Sequence, residues 1–522
     1  MTNMRRVLGL FLLIGLFYSN ALTGEFLYDD EFLIQKNQII QNVNRLPEAF
    51  LGSSTSGSGG KDSFYRPLQT VSYSLIHALF GLDPFWFHFL NVFVHFLNAV
   101  LLLFLLEELF KRWRIEHPRG FSLAIVLIWA LHPIHTEAVS YASATADPLH
   151  FFFGLIFLRL SFLGQGKGRK GLGLLALSAA LLTKEAAVIF PGVLFCTVFS
   201  DAFYFQKEKL LPALKKSLYL SLPALLLALV YAYLRSNLLD FDHSFQFYQT
   251  DNVYTSSWYH RLCTALAALP SYLHLLFWPD RLQIDRNFPV FISFFSFPVL
   301  LGSLIFVFSL IPLVAGSLLF SFFSLWFWSS HVLNTGILLP LNSLFLEHWM
   351  YVPSVGVVGA CVQAGRLIFK KIKMPTKAVV GILILLCTAL GARTFVQNKV
   401  WHSPVSLYEH ILEGSPDVAR VHNNLAMALS DEGKLKEAEG HYLKSIEIDA
   451  TYPQTWHNLG LLHLQQGKID EGIENLKHAV SLNPNFFPSY LYLSKAYLFK
   501  GDKEKSQAAL RKYQETRRIP SF

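Results

Sequence analysis

The chain has 522 residues, 52% of them hydrophobic and only 15% charged, with a mean hydropathy of +0.37. Soluble domains carry about 25% charged residues, so this composition excludes an ordinary soluble globular protein and points to a membrane protein. The net charge of +8 sits in short basic clusters between apolar runs, where it encodes topology rather than a nucleic-acid surface, and the four cysteines lack the paired spacing of a disulfide framework or zinc site.

The first apolar run, Val7 to Leu22, follows Met4-Arg5-Arg6 and precedes Ser19-Asn20-Ala21. These flanks fit a signal peptide, but the many apolar runs beyond favour an uncleaved first span. Spans are expected near 6–22, 86–108, 120–131, 149–163, 171–183, 186–204, 214–234, 292–311, 313–331, 350–369 and 377–394. Each is an apolar stretch at or near membrane-spanning length. Two more segments, 66–81 and 262–278, are apolar enough to lie on the outer surface as interfacial helices. With both lying flat there are eleven spans and the C-terminus is outside; with just one crossing, the C-terminal half flips, and the basic cluster at 370–373, one span before the repeats, favours the first arrangement.

Basic residues orient them. Arg5-Arg6, Lys111-Arg112-Trp113-Arg114, the GQGKGRKG loop at 164–171, Lys207 to Lys216 and Lys370-Lys371-Ile372-Lys373 all fall on one side. By the positive-inside rule that side is the cytoplasm. The loops 23–85, 132–148, 235–291 and 332–349, with the Thr183-Lys184-Glu185 turn, then face the periplasm or the lumen of the endoplasmic reticulum, as does the C-terminus. The short repeat array and compact loops favour the bacterial inner membrane. GSSTSGSGG (52–60) reads as a flexible linker.

The expected membrane domain ends at 394, and a connector with a partial repeat helix occupies 395–418. Over 419–522, Leu425, Leu459 and Leu493 recur at the same spacing as Gly433, Gly467 and Gly501. A helix–turn–helix period of about 34 residues with a closing Pro484 is the tetratricopeptide signature. The repeats are expected at 419–452, 453–486 and 487–520. The fold class is therefore all-α: a polytopic membrane helix bundle followed by an α-solenoid. Such solenoids hold extended peptides in a concave surface; the plainer alternative is a solenoid that only packs on its own membrane domain.

Most notable polar motifs of the membrane half lie on the expected outer side. They are Asp29-Asp30-Glu31, Tyr65-Arg66-Pro67-Leu68, HPIHTEAV (132–139), Asp147, Thr183-Lys184-Glu185 and Glu347-His348. Ionisable groups at bilayer depth are costly unless paired or functional, and their one-sided clustering suggests a single polar pocket. Transfer of a sugar from a polyprenyl phosphate would use both charge types. A carboxylate would take the acceptor's proton, and Lys, Arg or a divalent ion would stabilise the departing phosphate.

Each motif also has a bland reading. The acidic run alone is an ordinary solvated loop, and Lys184-Glu185 alone is a local ion pair. HPIHTE has metal-ligand spacing, but Pro133 argues against a helical His pair, so no metal site is assigned. His88, Asn91 and His95 share one helix face and read as interhelical hydrogen-bond partners.

Taken in order, these motifs resemble a known family. The Asp-Asp pair, YRPL, the G-x-x-P-x-x-F-H-x-x-N-x-x-x-H stretch (81–95), HPIHTEAV, the TKE turn, the WP-x-x-L-x-x-D stretch (278–285) and EHWMYVPSVG (347–356) are similar to those of the transmembrane-and-tetratricopeptide-repeat O-mannosyltransferases and their bacterial relatives. That resemblance implies a GT-C glycosyltransferase fold and transfer of a sugar, mannose in the animal members, from a polyprenyl phosphate to Ser or Thr of a protein. It implies Asp29 or Asp30 as catalytic base, without choosing between them. Arg66 and Lys184, with Glu347 and His348, fall where the carrier phosphate is expected. Glu31, His132, His135 and Glu137 fall in the pocket. His348 stands where the family pattern has Arg; a neutral His is a poorer phosphate partner, so compensation would come from neighbours such as Arg281 or Arg286. The implied partners are the polyprenyl-linked sugar, an acceptor protein or peptide held by the repeats, and membrane lipids, with no nucleic acid. A divalent metal is the one candidate cofactor. Competing readings are a catalytically inactive scaffold whose repeats recruit partners, and a transporter or lipid flippase.

Overall fold

The computed structural model describes residues 3–59, 64–164, 166–237, 252–284, 286, 288–338, 340–341 and 343–517. Every regular element among the described residues is helical. The chain divides into two units, Met1–His402 and Ser403–Phe522. The sequence suggests a change of character at 394, but the helix Thr376–Asn398 runs past that point into a 3-10 turn ending at Trp401.

In the first unit six helices combine the length and apolarity of a membrane span: Pro84–Arg112, Ala142–Leu163, Glu185–Phe205, Leu210–Asn237, Phe297–Ala315 and Thr376–Trp401. This is a multi-pass membrane protein. Pro118–Ala130 and Pro133–Ser140 form a further candidate, bent by 55°. The remaining expected spans are helical but shorter or more polar: Asn3–Phe17, Lys167–Thr183, Leu318–His331 and Ser354–Lys371. A count of eleven rests on these four as well. Neither interfacial candidate, Pro67–Phe80 nor Trp258–Phe277, is among the six.

Helix starts follow local chemistry. Asp83 accepts from the Phe85 N–H at 3.1 Å and Pro84 takes the first helical position, where its missing N–H costs nothing. Pro67, Pro118 and Pro404 start their helices in the same way. Close helix approach relies on small residues: a Cβ at Gly154 would lie 2.0 Å from the Phe190 ring, and one at Gly356 would lie 2.5 Å from the Phe323 carbonyl.

The 55° bend sits at Pro133, which has no N–H to continue the helix and keeps His132 extended. The carbonyls it frees are taken by side chains. His95 Nε2 donates to the Ala130 carbonyl at 2.9 Å, while His95 Nδ1 accepts from the Tyr351 hydroxyl at 2.7 Å. Thr394 donates to the Leu131 carbonyl at 2.8 Å.

The expected flexible linker is folded over its described part, 52–59. Asn37 donates to the Ser54 carbonyl at 3.0 Å, and Gly57 packs so closely on Asn37 that a Cβ would meet its side-chain oxygen at 1.9 Å. Gly52 and Gly57 permit close packing here, while Gly59 supplies a left-handed turn at φ 78°.

In the second unit Pro404–Gly414 precedes three helix pairs: Ala419–Asp431 with Leu435–Ile448, Pro453–Gln465 with Ile469–Leu482, and Phe487–Phe499 with Lys503–Arg517. Gly433, Gly467 and Gly501 occupy the turns at φ +79°, +78° and +81°, a region that disfavours side chains. Leu425, Leu459 and Leu493 are all buried.

Candidate active site

The acidic stretch is entered through Tyr28, which follows the first helix by way of the 3-10 turn Ser19–Thr23, and the Tyr28 φ of 47° is left-handed, an uncommon state for a residue with a Cβ. The two aspartates that follow differ sharply. Asp30 is 0% exposed. One of its oxygens accepts the Leu27 N–H at 2.7 Å and the other accepts the Ser143 hydroxyl. Burial pushes its carboxyl up to about 7, against the opposing effect of these bonds. Asp29 is exposed, and its backbone N–H donates to the Tyr141 hydroxyl at 2.9 Å. Glu31 pairs with Lys36 at the surface.

The segment Tyr141–Asp147 is the meeting place. The Asn91 side chain donates to the Tyr141 carbonyl at 2.8 Å and accepts from the Thr145 hydroxyl. Gln69 and Tyr73, on the helix that Pro67 starts, donate to the carbonyls of Ser143 at 2.7 Å and Ala142 at 2.9 Å. At its end Asp147 accepts from Lys184 Nζ at 2.6 Å, with both side chains nearly buried.

The cations gather beside it. Arg66 grips Glu185 with two guanidinium nitrogens, at 3.0 and 3.4 Å. Lys184 and Arg235 also act on Glu185, and Arg66 and Asp30 both act on Tyr73. Arg235 is buried near the end of the Leu210–Asn237 helix. No motif surrounds it in the sequence, but an arginine at the end of an apolar helix is a recognisable signal.

Glu137 and His348 meet across the chain. The His348 N–H donates to Glu137 Oε2 at 2.8 Å, and its ring Nδ1 lies 2.7 Å from Oε1. His348 also acts on Asp147, which joins this pair to the lysine. Glu347 accepts the Gln283 N–H at 2.7 Å and Arg286 at 3.2 Å. Burial, followed by the Glu137 charge, pushes its carboxyl up to about 8. Arg286, expected to support His348, is thus bonded to Glu347.

Two expected pocket residues lie elsewhere. His132 bonds the Leu276 carbonyl at 2.9 Å and accepts the Ile134 N–H. His135 is fully buried among Trp129, His95 and Tyr351, with ring centroids 5.0 to 6.0 Å away. The bend at Pro133 turns these rings into the packing and Glu137 toward His348. Among the described residues no group of three or more His, Cys, Asp or Glu is arranged to hold a metal ion. Asp285 of the WP-x-x-L-x-x-D stretch and part of the 235–291 loop lie outside the described residues.

The structure thus defines a polytopic membrane protein with a charged cluster built from several segments, joined to tetratricopeptide repeats. The tetratricopeptide repeat family model matches residues 419–452 and 453–486. The chain is 27% identical over 460 residues to the Caenorhabditis elegans protein O-mannosyl-transferase F38B6.6, covering 84% of this chain and 62% of that one. It is 24% identical over 539 residues to the human protein O-mannosyl-transferase TMTC3, covering 92% of this chain and 55% of that one. The resemblance carried by the motifs therefore extends over most of the chain, while the chain spans between about half and three fifths of these relatives' length. Among solved structures, a crystal structure of MamA protein is 19% identical, covering 23% of this chain and 67% of that one at a TM-score of 0.21.

Proposed function

We propose that the protein transfers a hexose, mannose by analogy with the named relatives, from a polyprenyl phosphate to a Ser or Thr hydroxyl of a protein on the extracytoplasmic face. The observation that carries this reading is the grouping of an exposed acid with cations: Asp29 is tied to Tyr141 through its backbone N–H, Lys184 is paired with Asp147, and Arg66 and Arg235 act on the adjoining Glu185. Asp29 is the base. Asp30 has both oxygens occupied and no exposure, which suits a positioning residue that holds the turn against Ser143.

In the proposed step the acceptor oxygen attacks the sugar's anomeric carbon as its proton passes to the Asp29 carboxylate. The bond from that carbon to the phosphate oxygen breaks, and the carrier phosphate leaves with the electron pair. Lys184, Arg66 and Arg235 stabilise the negative charge of the departing phosphate. The repeats hold the acceptor protein.

One observation favours the scaffold reading: Lys184 and Arg66 are already matched by internal carboxylates, Asp147 and Glu185. A transfer assay with polyprenyl-phosphate mannose or glucose separates the two. Mass spectrometry of extracytoplasmic proteins with and without this gene is expected to show a hexose lost from Ser or Thr peptides. Unchanged glycopeptides together with no transfer in vitro would favour the scaffold.

A further inference from the structure

We infer that Trp401 and Asn398 are positioning residues for the base Asp29, so that the segment leading into the repeats is part of the frame of the active site. This rests on the reading of Asp29 given above. The Tyr141 hydroxyl accepts the Asp29 backbone N–H at 2.9 Å, so the placement of this tyrosine sets the placement of the base. Two contacts fix Tyr141. Its ring stacks on the Trp401 indole, with centroids 5.4 Å apart and planes 25° from parallel, and both residues are buried. Its neighbour Ser140 donates to Asn398 Oδ1 at 2.8 Å. The amide nitrogen of Asn398 in turn donates to the Phe17 carbonyl at 2.9 Å and to Asn20 Oδ1 at 3.0 Å. One asparagine therefore ties the stretch before Tyr141 to the end of the first helix.

The same short segment holds the chain that leads to the base. The Glu25 N–H donates to the His402 carbonyl at 2.8 Å. Gly24 passes so close that a Cβ there would lie 3.0 Å from the Trp401 carbonyl and 3.1 Å from His88 Nε2. Asp29 is thus bracketed: upstream its backbone hangs on His402, and at its own N–H it hangs on a tyrosine backed by Trp401. The Trp401 indole N–H has no acceptor among the described residues, so this side chain contributes through its ring face. Placement matters to a base because its carboxylate must meet the acceptor's proton at hydrogen-bond distance, and a shift of about 1 Å can cost about 10²-fold in rate. Residues 398–402 lie outside every motif of the family resemblance, and the sequence presents them only as part of the connector. Ser403 follows and caps the helix Pro404–Gly414.

The test uses full-length protein in lipid nanodiscs, a short isoprenyl phosphoryl-mannose as donor and, as acceptor, the extracytoplasmic proteins of cells lacking this gene. Tyr141→Phe keeps the stacked ring and removes the hydroxyl; Trp401→Leu keeps apolar bulk and removes the flat face. Each is expected to lower kcat about 10- to 100-fold while the donor KM stays within about twofold, the mark of lost positioning rather than lost binding. Trp401→Phe restores a ring face and is expected to recover most of the loss. In an Asp29→Asn background Tyr141→Phe is expected to add little, because it acts through that residue. Hydrogen exchange is expected to quicken at Gly24–Asp30 and to stay unchanged in Pro84–Arg112, whereas a merely structural role quickens both. Should Trp401→Leu not fold, Ser140→Ala, which unties this stretch from Asn398, carries the same expectation beside Tyr141→Phe. A raised KM at unchanged kcat overturns the inference, as does a loss that adds fully to that of Asp29→Asn. A wild type that transfers no sugar, with variants that loosen only Gly24–Asp30, sinks the transferase reading and leaves the positioning standing. Wild-type kcat in both variants does the reverse.

Discussion

The repeats and the charged cluster are held together by opposite kinds of contact. In the repeats each glycine turn and buried leucine has its counterpart one period away, and the helices that pack together are neighbours in the chain. In the cluster, Asp29 reaches Tyr141 across 112 residues, Arg66 reaches Glu185 across 119, and His348 reaches Glu137 across 211. Local periodic contacts tolerate a single change at small cost. The nearly buried Lys184–Asp147 pair does not, because removing one partner strands the other.

Four experiments sharpen this contrast, ordered from the largest expected effect. Asp29→Asn is expected to lower sugar transfer about 10²- to 10⁴-fold, the range of a general base, while Asp30→Asn loses about tenfold or less, the smaller effect of a positioning residue. Equal losses at both positions would dissolve the distinction between the buried and exposed aspartate. Lys184→Ala leaves Asp147 buried and unpaired and is expected to cost about 3–5 kcal/mol, read as a lowered Tm in detergent. The double change Lys184→Met with Asp147→Leu is expected to recover most of it, and failure to recover would mean that the pair is not an isolated unit.

The third concerns pH. Asp30 binds its proton more tightly folded, at about 7, than an unfolded Asp does at about 3.9. Its contribution to stability is therefore full below about pH 4 and is lost as pH rises toward 7. The Tm of wild type relative to Asp30→Asn is expected to fall across that window and to level off above it. Smallest is Gly467→Ala, which forces a Cβ into the left-handed turn at about 1–2 kcal/mol. Faster hydrogen exchange confined to Pro453–Leu482 in the full chain is the expected readout, and an unchanged rate would mean that the turn relaxes.

The same contrast explains what the sequence made legible. Repeat boundaries at 419–452 and 453–486 follow from the spacing of Leu425, Leu459 and the turn glycines, and the family model matches the same ranges. The membrane helices followed from apolar length, although those of Asn3–Phe17 and Leu318–His331 stop short of a standard span. Charged motifs were visible as types, but their partners were not. Nothing local to HPIHTEAV says that Glu137 turns to His348 while His132 and His135 turn into the packing; the bend at Pro133 decides it. Arg235 stands alone at a helix end with no motif around it, and the composition of 52–59 does not reveal that Asn37 fills the space beside Gly57.

That bend also bears on the order of assembly. A buried backbone carbonyl has no water to turn to, and that of Leu131, fully buried, is closed by Thr394, 263 residues later in the chain. A ribosome feeding this protein into the membrane releases the broken helix long before the helix that seals it. Until that last helix inserts, the Leu131 carbonyl lacks its native partner, and the site turned by the bend lacks a fixed wall. The charged cluster is thus a late product of biosynthesis, and a chain truncated before Thr376 would carry every charged residue of the proposed site without the helix that locks the bend behind them.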